Sequence, residues 1–253
     1  HPWEEPVLCG SGGAGTVFFS GCNLGCVYCQ NHAISAENFG KAISVKRLRE
    51  IFLELIDRGA KTIELVTATH FVPFLPPALV ETRPVPVVYN CGGYEGVETL
   101  RLLEGRVQVY LPDLKYADRE LAAKLSRAAD YFSVATAAIE EMFRQTGPCV
   151  IENGILKRGV LIRHLVLPGQ MENTRRCLDW IAGRFRPGDV LVSLMSQYTP
   201  QPGASGALAR RLNHAEYRAA VRYMTDCGIT DGFCQELSSA KEEYTPAFDL
   251  QGI

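Results

Sequence analysis

Three of the nine cysteines stand in GCNLGCVYCQN (21–31), and their type and spacing point to chemistry. Cys22, Cys26 and Cys29 follow the pattern C-x3-C-x2-C, close enough for one loop to wrap a metal centre. Thiolates are the ligands iron–sulfur clusters take, and a cubane of four irons held by three of them keeps one iron open to a further ligand. Two other readings stand beside this one. Structural zinc takes four protein ligands, and His32 is the nearest candidate for the fourth. Cys26-Val27-Tyr28-Cys29 is also a C-x-x-C pair of the redox type, which leaves Cys22 idle. The remaining cysteines, Cys9, Cys91, Cys149, Cys177, Cys227 and Cys234, are scattered. An odd total without a secretory leader argues for a reducing compartment rather than a disulfide scaffold.

Other polar residues stand where buried apolar runs end. Asp113 and Lys115 close VYLPDLK, where they meet a charged ligand or form a turn salt bridge. Arg163 sits inside VLIRHLVLPG, and a buried arginine is costly unless paired, which suits it to a carboxylate. His164 must face the opposite side of that strand and reads as a satisfied structural histidine. Asn90 and Cys91 end VPVVYNC, with Cys91 read as a small core residue, and Gly92-Gly93 lets the backbone approach a ligand closely. Asn31 either bonds the cysteine loop or caps the helix that follows.

The runs that position these residues are short and rich in β-branched and aromatic side chains: 16–20, 61–67, 85–90, 106–113, 160–169 and 189–198. They read as strands buried on both faces, the habit of a parallel sheet. Helical periodicity fills the gaps, near 96–104, 118–126, 131–145, 172–185 and 214–227. In the first helix Val45, Leu48, Phe52, Leu55 and Ile56 share one face, and Gly59 stops it. Six β-then-α units are too few for a closed eight-stranded barrel, so a partial, laterally open (β/α)6 TIM-type barrel is expected. The apolar FVPFLPPALV (71–80) is no linker, 200–207 is a loop, and no period is visible after Glu236.

At 253 residues the chain fits one domain over 1–253, and its start at His1 leaves room for a missing N-terminal extension. A formal charge of −2 offers no broad attraction to nucleic acid or anionic membrane, so neither is expected as a partner. The arginines at 175, 176, 184, 186, 210, 211, 218 and 222 read as solvated helix faces. No apolar run approaches the roughly 18 residues of a membrane span, and a cytoplasmic protein is expected.

C-x3-C-x2-C with an aromatic before the third cysteine resembles the radical SAM superfamily. GTVFFSGCNLGCVYCQN, VVYNCGGYE, VYLPDLKY, RHLVLPG and MSQYTP are similar to its pyruvate formate-lyase activating enzyme-like branch, over essentially the whole chain. The resemblance implies a 4Fe-4S cluster on Cys22, Cys26 and Cys29. It further implies S-adenosylmethionine (SAM) chelated to the open iron and cleaved reductively to a 5'-deoxyadenosyl radical that abstracts hydrogen. It places Tyr28 near the adenine, makes Asp113 and Lys115 the expected catalytic pair, and puts Gln197 and Tyr198 among late contacts of the site. Asn31, Asn90 and Arg163 join them as expected cofactor contacts. The sequence departs from the pattern after the second strand, where many members carry Gly-Gly-Glu for the SAM ammonium and this chain has VTATHF (66–71). Thr67, Thr69, His70 or backbone carbonyls are the substitutes on offer.

The expected substrate is a protein or peptide, such as the glycyl site of a partner enzyme, with a reductant such as flavodoxin or ferredoxin. A small-molecule radical SAM enzyme and a non-catalytic zinc or electron-transfer protein are the alternatives.

Overall fold

The computed structural model describes residues 4–79, 85–237, 248–250 and 252–253. Its sheet comprises β1 (Ala14–Phe18), β2 (Thr62–Val66), β3 (Val87–Cys91), β4 (Val109–Pro112), β5 (Val150–Glu152), β6 (Ile155–Leu165), β7 (Leu191–Met195) and β8 (Gly232–Cys234). Along the order β1-β2-β3-β4-β6-β7-β8 every neighbouring pair is parallel. Spatial order thus follows chain order, as successive right-handed β-α crossovers produce. Among the described residues no pairing joins β8 to β1, so the curled sheet stays open along one side.

Two strands exceed the six read from the sequence. β5 pairs antiparallel with β6 through Asn153-Gly154, both at positive φ (51° and 77°), the turn that Asn-Gly favours in a two-residue hairpin. β8 has three residues at the sheet edge, too few to show a period. The predicted helices appear as Val45–Asp57, Val97–Arg101, Arg119–Ser126, Tyr131–Thr146, Met171–Arg184 and His214–Asp226. Arg186, Arg210 and Arg211 lie outside these helices, a correction to the sequence reading, and Arg210 instead pairs with Glu216 at 2.7 Å. The segment that is no linker forms a 3-10 turn, Thr69–Phe74, and a short helix, Leu75–Ala78, burying Val72, Leu75, Ala78 and Leu79; Val80 lies outside the described residues. So does most of the stretch after Glu236.

Alternation along the strands separates two apolar layers. Outward residues such as Ile63, Leu65, Tyr89, Tyr110, Ile162 and Leu194 pack with Phe52, Leu100, Ile139 and Leu178 of the surrounding helices. Full burial of a side chain such as Phe52 contributes roughly 2–3 kcal/mol. Its helix begins where the Ser44 side chain accepts from the Arg47 amide at 3.1 Å, and Gly59 at φ +93° follows its end. Inward residues Val88, Val109, Leu111, Leu161 and Leu191 meet Val7 and Leu8 from a short helix, Pro6–Cys9. That helix seals the end from which the strands start, and Thr62 Oγ1 donates to Leu8 O at 3.0 Å. The other end, at the strand C-termini, is left for a site, as in barrels of this kind.

Candidate active site

The cysteine loop leaves β1 and turns at Gly21 and Gly25, whose φ values of +89° and +62° suit residues without a Cβ. It is tied down from several sides: Gly21 N donates to Ile34 O (2.8 Å), Val27 N to Leu125 O (2.9 Å) and Asn23 Nδ2 to Tyr94 O (2.6 Å). Cys22, Cys26 and Cys29 line one cavity of about 690 Å³, within the span of roughly 300–1,000 Å³ usual for ligand pockets. Each sulfur has a hydrogen-bond partner. Leu24 N donates to Cys22 Sγ (3.5 Å), Ser126 Oγ donates to Cys26 Sγ (2.9 Å), and Cys29 Sγ pairs with Ser35 Oγ (3.3 Å).

These thiols fit a cluster better than a lone ion. Zinc at ~2.3 Å from each sulfur draws its ligands to one point. Among the described residues no three His, Cys, Asp or Glu side chains converge in that way. His32 is exposed and pairs with Glu37 at 3.2 Å, and it does not line the cavity. Three thiols on one cavity, each with a partner at its sulfur, suit a multi-iron cluster, whose sulfurs are tuned by such bonds.

A string of buried polar groups crosses the cavity wall. Asp113 lies between two cations: Lys115 Nζ bonds its Oδ2, and Arg163 Nε donates to its Oδ1 at 3.0 Å. Arg163 also donates to Asn90 Oδ1 (2.6 Å), and Asn90 Nδ2 donates to Glu64 Oε1 (2.6 Å). Burial alone would raise the Asp113 carboxyl, but Lys115 and Arg163 outweigh it and hold the group below the usual carboxylate range. Burial opposes charge on Lys115 too, and Asp113 keeps it protonated. Glu64 is pushed up by burial, against the pull of Asn90 and Arg163. His164 faces away, its ring fixed by Leu114 O (2.6 Å) and Thr174 Oγ1 (3.0 Å), and burial lowers it to about 4.

Of the residues singled out in the sequence, Tyr28, Asn31, Thr67, Asn90, Asp113, Lys115, Arg163, Gln197 and Tyr198 line the cavity. Asn31 stands at the N-cap position of His32–Ser35, yet its side chain makes no capping bond. Tyr28 meets the ring of Tyr198 edge-on, with centroids 5.9 Å apart. Gln197 accepts from Gln30 Nε2 through its backbone oxygen at 3.0 Å.

The structure does not bring Thr69 or His70 to the cavity. Thr69 Oγ1 is turned to Glu95 Oε1 at 2.7 Å, and Tyr89 OH donates to the other oxygen of that carboxylate. Thr67 does reach the cavity, at φ +59°, an unusual conformation for a β-branched residue. Its amide donates to Asn90 O. Cys91 packs in the outer core layer and also lines the cavity. Gly92 lines the cavity, where a Cβ would lie 2.7 Å from Leu24 Cδ1, whereas the close approach at Gly93 is to the protein itself, a Cβ there lying 2.0 Å from Asp113 O.

Sequence reasoning missed Glu64, Glu95, Tyr116, Ser126 and Tyr131. Glu64 carries the signal that exposed Arg163, a charge within an apolar strand, in KTIELVT. Tyr131 OH lies 2.8 Å from Gly92 O and 2.7 Å from Asp113 O and accepts from Lys115 N at 3.0 Å, pinning two strand ends together.

Comparison with known proteins agrees with this geometry. The family model "Radical SAM superfamily" matches residues 16–181. A curated relative, an uncharacterized protein of Methanocaldococcus jannaschii, is 31% identical over 236 residues, covering 87% of this chain and 64% of its own length. Among solved structures, methylornithine synthase (PylB) is similar at a TM-score of 0.56 and 17% identity, over 83% of this chain and 62% of its own. A radical SAM methyltransferase from Sphaerobacter thermophilus gives 0.59 and 14%, over 87% and 65%. HydG, a maturase of the [FeFe]-hydrogenase, gives 0.58 and 13%, over 86% and 50%. At these identities the solved structures speak for the fold alone.

Proposed function

Because this chain belongs to the radical SAM superfamily, whose cofactors are a 4Fe-4S cluster and S-adenosylmethionine, we propose that Cys22, Cys26 and Cys29 hold the cluster and that the polar wall beside them holds SAM. When bound, the cluster supplies the electron that splits the sulfonium of SAM and yields a 5'-deoxyadenosyl radical. The chain's residues bind, orient and shield. Lys115 and Arg163, set on either side of Asp113, offer positive charge to the methionine carboxylate, and Asp113 offers its carboxylate to the ammonium or ribose. Thr67 and the backbone near it stand where Gly-Gly-Glu is missing. Tyr28 and Tyr198 present aromatic faces and edges to the adenine.

The observation that carries this reading is the set of three thiols, each with a hydrogen-bond partner, on one cavity at the C-terminal ends of the strands. We read the substrate as a protein or peptide segment, such as the glycyl site of a partner enzyme, on the model of the pyruvate formate-lyase activating enzymes. The support for it is the free edges of β1 and β8, which no strand pairs among the described residues. A flavodoxin- or ferredoxin-like protein would then deliver the electron.

Anaerobic purification with iron, sulfide and zinc analysis tests the first part, followed by assay of SAM cleavage under a low-potential reductant. Iron and sulfide near four per chain with 5'-deoxyadenosine formed are expected, and Cys22→Ala, Cys26→Ala and Cys29→Ala each abolish both. Stoichiometric zinc, with no iron taken up and no cleavage after reconstitution, sinks the reading. For the substrate, deuterium passing from a labelled peptide or partner into 5'-deoxyadenosine is the expected result. Transfer from small metabolites alone would replace it with the small-molecule reading.

A further inference from the structure

Two residues of the cysteine loop and two from the 116–126 segment form one hydrogen-bonded file that ends on a thiol of that loop. Tyr28 OH lies 2.5 Å from Tyr116 OH, Tyr116 OH lies 2.7 Å from Ser126 Oγ, and Ser126 Oγ donates to Cys26 Sγ at 2.9 Å. All three hydroxyl residues are buried, with exposures of 8% for Tyr28, 0% for Tyr116 and 1% for Ser126. Ser126 closes the helix Arg119–Ser126, and the preceding carbonyl, Leu125 O, accepts from Val27 N at 2.9 Å. Two adjacent tethers therefore fix the helix end against residues 26 and 27 of the loop.

A metal-bound thiolate has no proton to give, so the sense of the file follows from its terminus. The single Ser126 proton points to Cys26 Sγ. Tyr116 must then donate to Ser126, and Tyr28 to Tyr116. Bonds aligned in this way polarise one another and strengthen the last of them, more so where water is excluded. Hydrogen bonds to the sulfurs are among the determinants of an iron–sulfur potential. A donor at a ligand sulfur favours the state carrying more negative charge, which is the reduced one.

Resting on the cluster assignment above, we infer that Ser126, polarised through Tyr116 by Tyr28, is a positioning residue that sets how readily a cluster on Cys22, Cys26 and Cys29 accepts an electron. The same Tyr28 whose hydroxyl starts the file lines the SAM cavity, so the wall of the nucleoside site and the cluster ligand share one polar connection.

The test is a redox titration followed by electron paramagnetic resonance on the anaerobically reconstituted full chain, with iron counted in every variant. Ser126→Ala is expected to lower the reduced-to-oxidised ratio at a fixed potential roughly tenfold, about 59 mV for one electron. Ser126→Thr, which keeps the hydroxyl, restores it. Tyr116→Phe leaves the serine in place and removes its polarising donor, so it shifts the ratio the same way by less. A Ser126→Ala protein with full iron and an unchanged potential overturns the inference, as does Ser126→Thr behaving like Ser126→Ala. Should Ser126→Ala fail to hold iron, Tyr116→Phe decides, and no shift there overturns the inference. A wild-type chain that takes up no cluster overturns the cluster assignment itself, an outcome distinct from all of these.

Discussion

Asp113 and Arg163 occupy the same level of neighbouring strands, joined by a parallel backbone bridge, and the arginine Nε donates to the carboxylate at 3.0 Å. Removing one member of a buried ion pair strands the other, which typically costs 3–5 kcal/mol. Lys115 remains beside Asp113, so the cost is expected toward the low end. Arg163→Met should lose about 3 kcal/mol in urea unfolding near neutral pH, and Arg163→Lys should recover only part because the fork to Asn90 is lost. The acid side checks the sign. Asp113 is depressed in the folded state, so its contribution is complete above the unfolded value of about 3.9 and is lost as pH falls through the lower folded one. In Arg163→Met the folded value rises toward the unfolded one, so the acid loss is smaller and is complete at a higher pH. Wild-type stability in Arg163→Met would refute this account.

His164 gives a second pH dependence. Its folded value of about 4 lies below the unfolded value of about 6.5, since burial penalises the cation. The unfolded chain therefore binds more protons between these values, and stability is full above about 6.5 and falls as pH drops toward 4. The loss approaches about 3 kcal/mol. Glu95, raised by burial to about 7, acts with the opposite sign in part of this range. The difference between wild type and His164→Asn isolates the histidine. Unfolding at matched pH values should show the gap between the two proteins changing steadily from pH 7 to 4, and a constant gap would contradict the assignment.

Gly93 separates backbone strain from collision. Its φ is +80°, and a Cβ there would stand 2.0 Å from Asp113 O and 2.9 Å from Tyr131 OH. Gly105 has a similar φ of +73° with nothing within 4 Å. Gly105→Ala should cost about 1 kcal/mol, the left-handed penalty alone. Gly93→Ala should exceed ~3 kcal/mol, because backbone must move. Thermal unfolding of the two variants decides it, and equal losses would mean that the strand ends yield easily.

What was legible in the sequence follows from how local each signal is. Cys22, Cys26 and Cys29 fall within eight residues, so a three-thiolate site is readable from spacing, and the resemblance is what narrows it to a cluster. Arg163 stands out because a charge inside an apolar run needs a partner, and the alternation of a strand sends His164 to the other side. β1 to β4, β6 and β7 show by composition, whereas β8 is too short to do so. The Asn153-Gly154 hairpin was not read from the sequence, although Asn-Gly is a turn signal. Glu95 and Ser126 were not legible, since nothing beside them in sequence hints at Thr69 or Cys26. Ser126 reaches Cys26 across a separation of 100 residues, which only the packing of a helix end on the cysteine loop creates.

The residues that close the floor of the barrel precede the segment that the family model matches. Val7 and Leu8 pack under Val88, Val109, Leu111, Leu161 and Leu191, while the match begins at residue 16. A chain begun at the family boundary would keep Cys22, Cys26 and Cys29 together with Asn90, Asp113, Lys115 and Arg163 and lose its stopper. The cup would become a pipe, with an apolar ring at its lower end open to water and to oxygen, in reach of the very centre the upper rim is built to shelter.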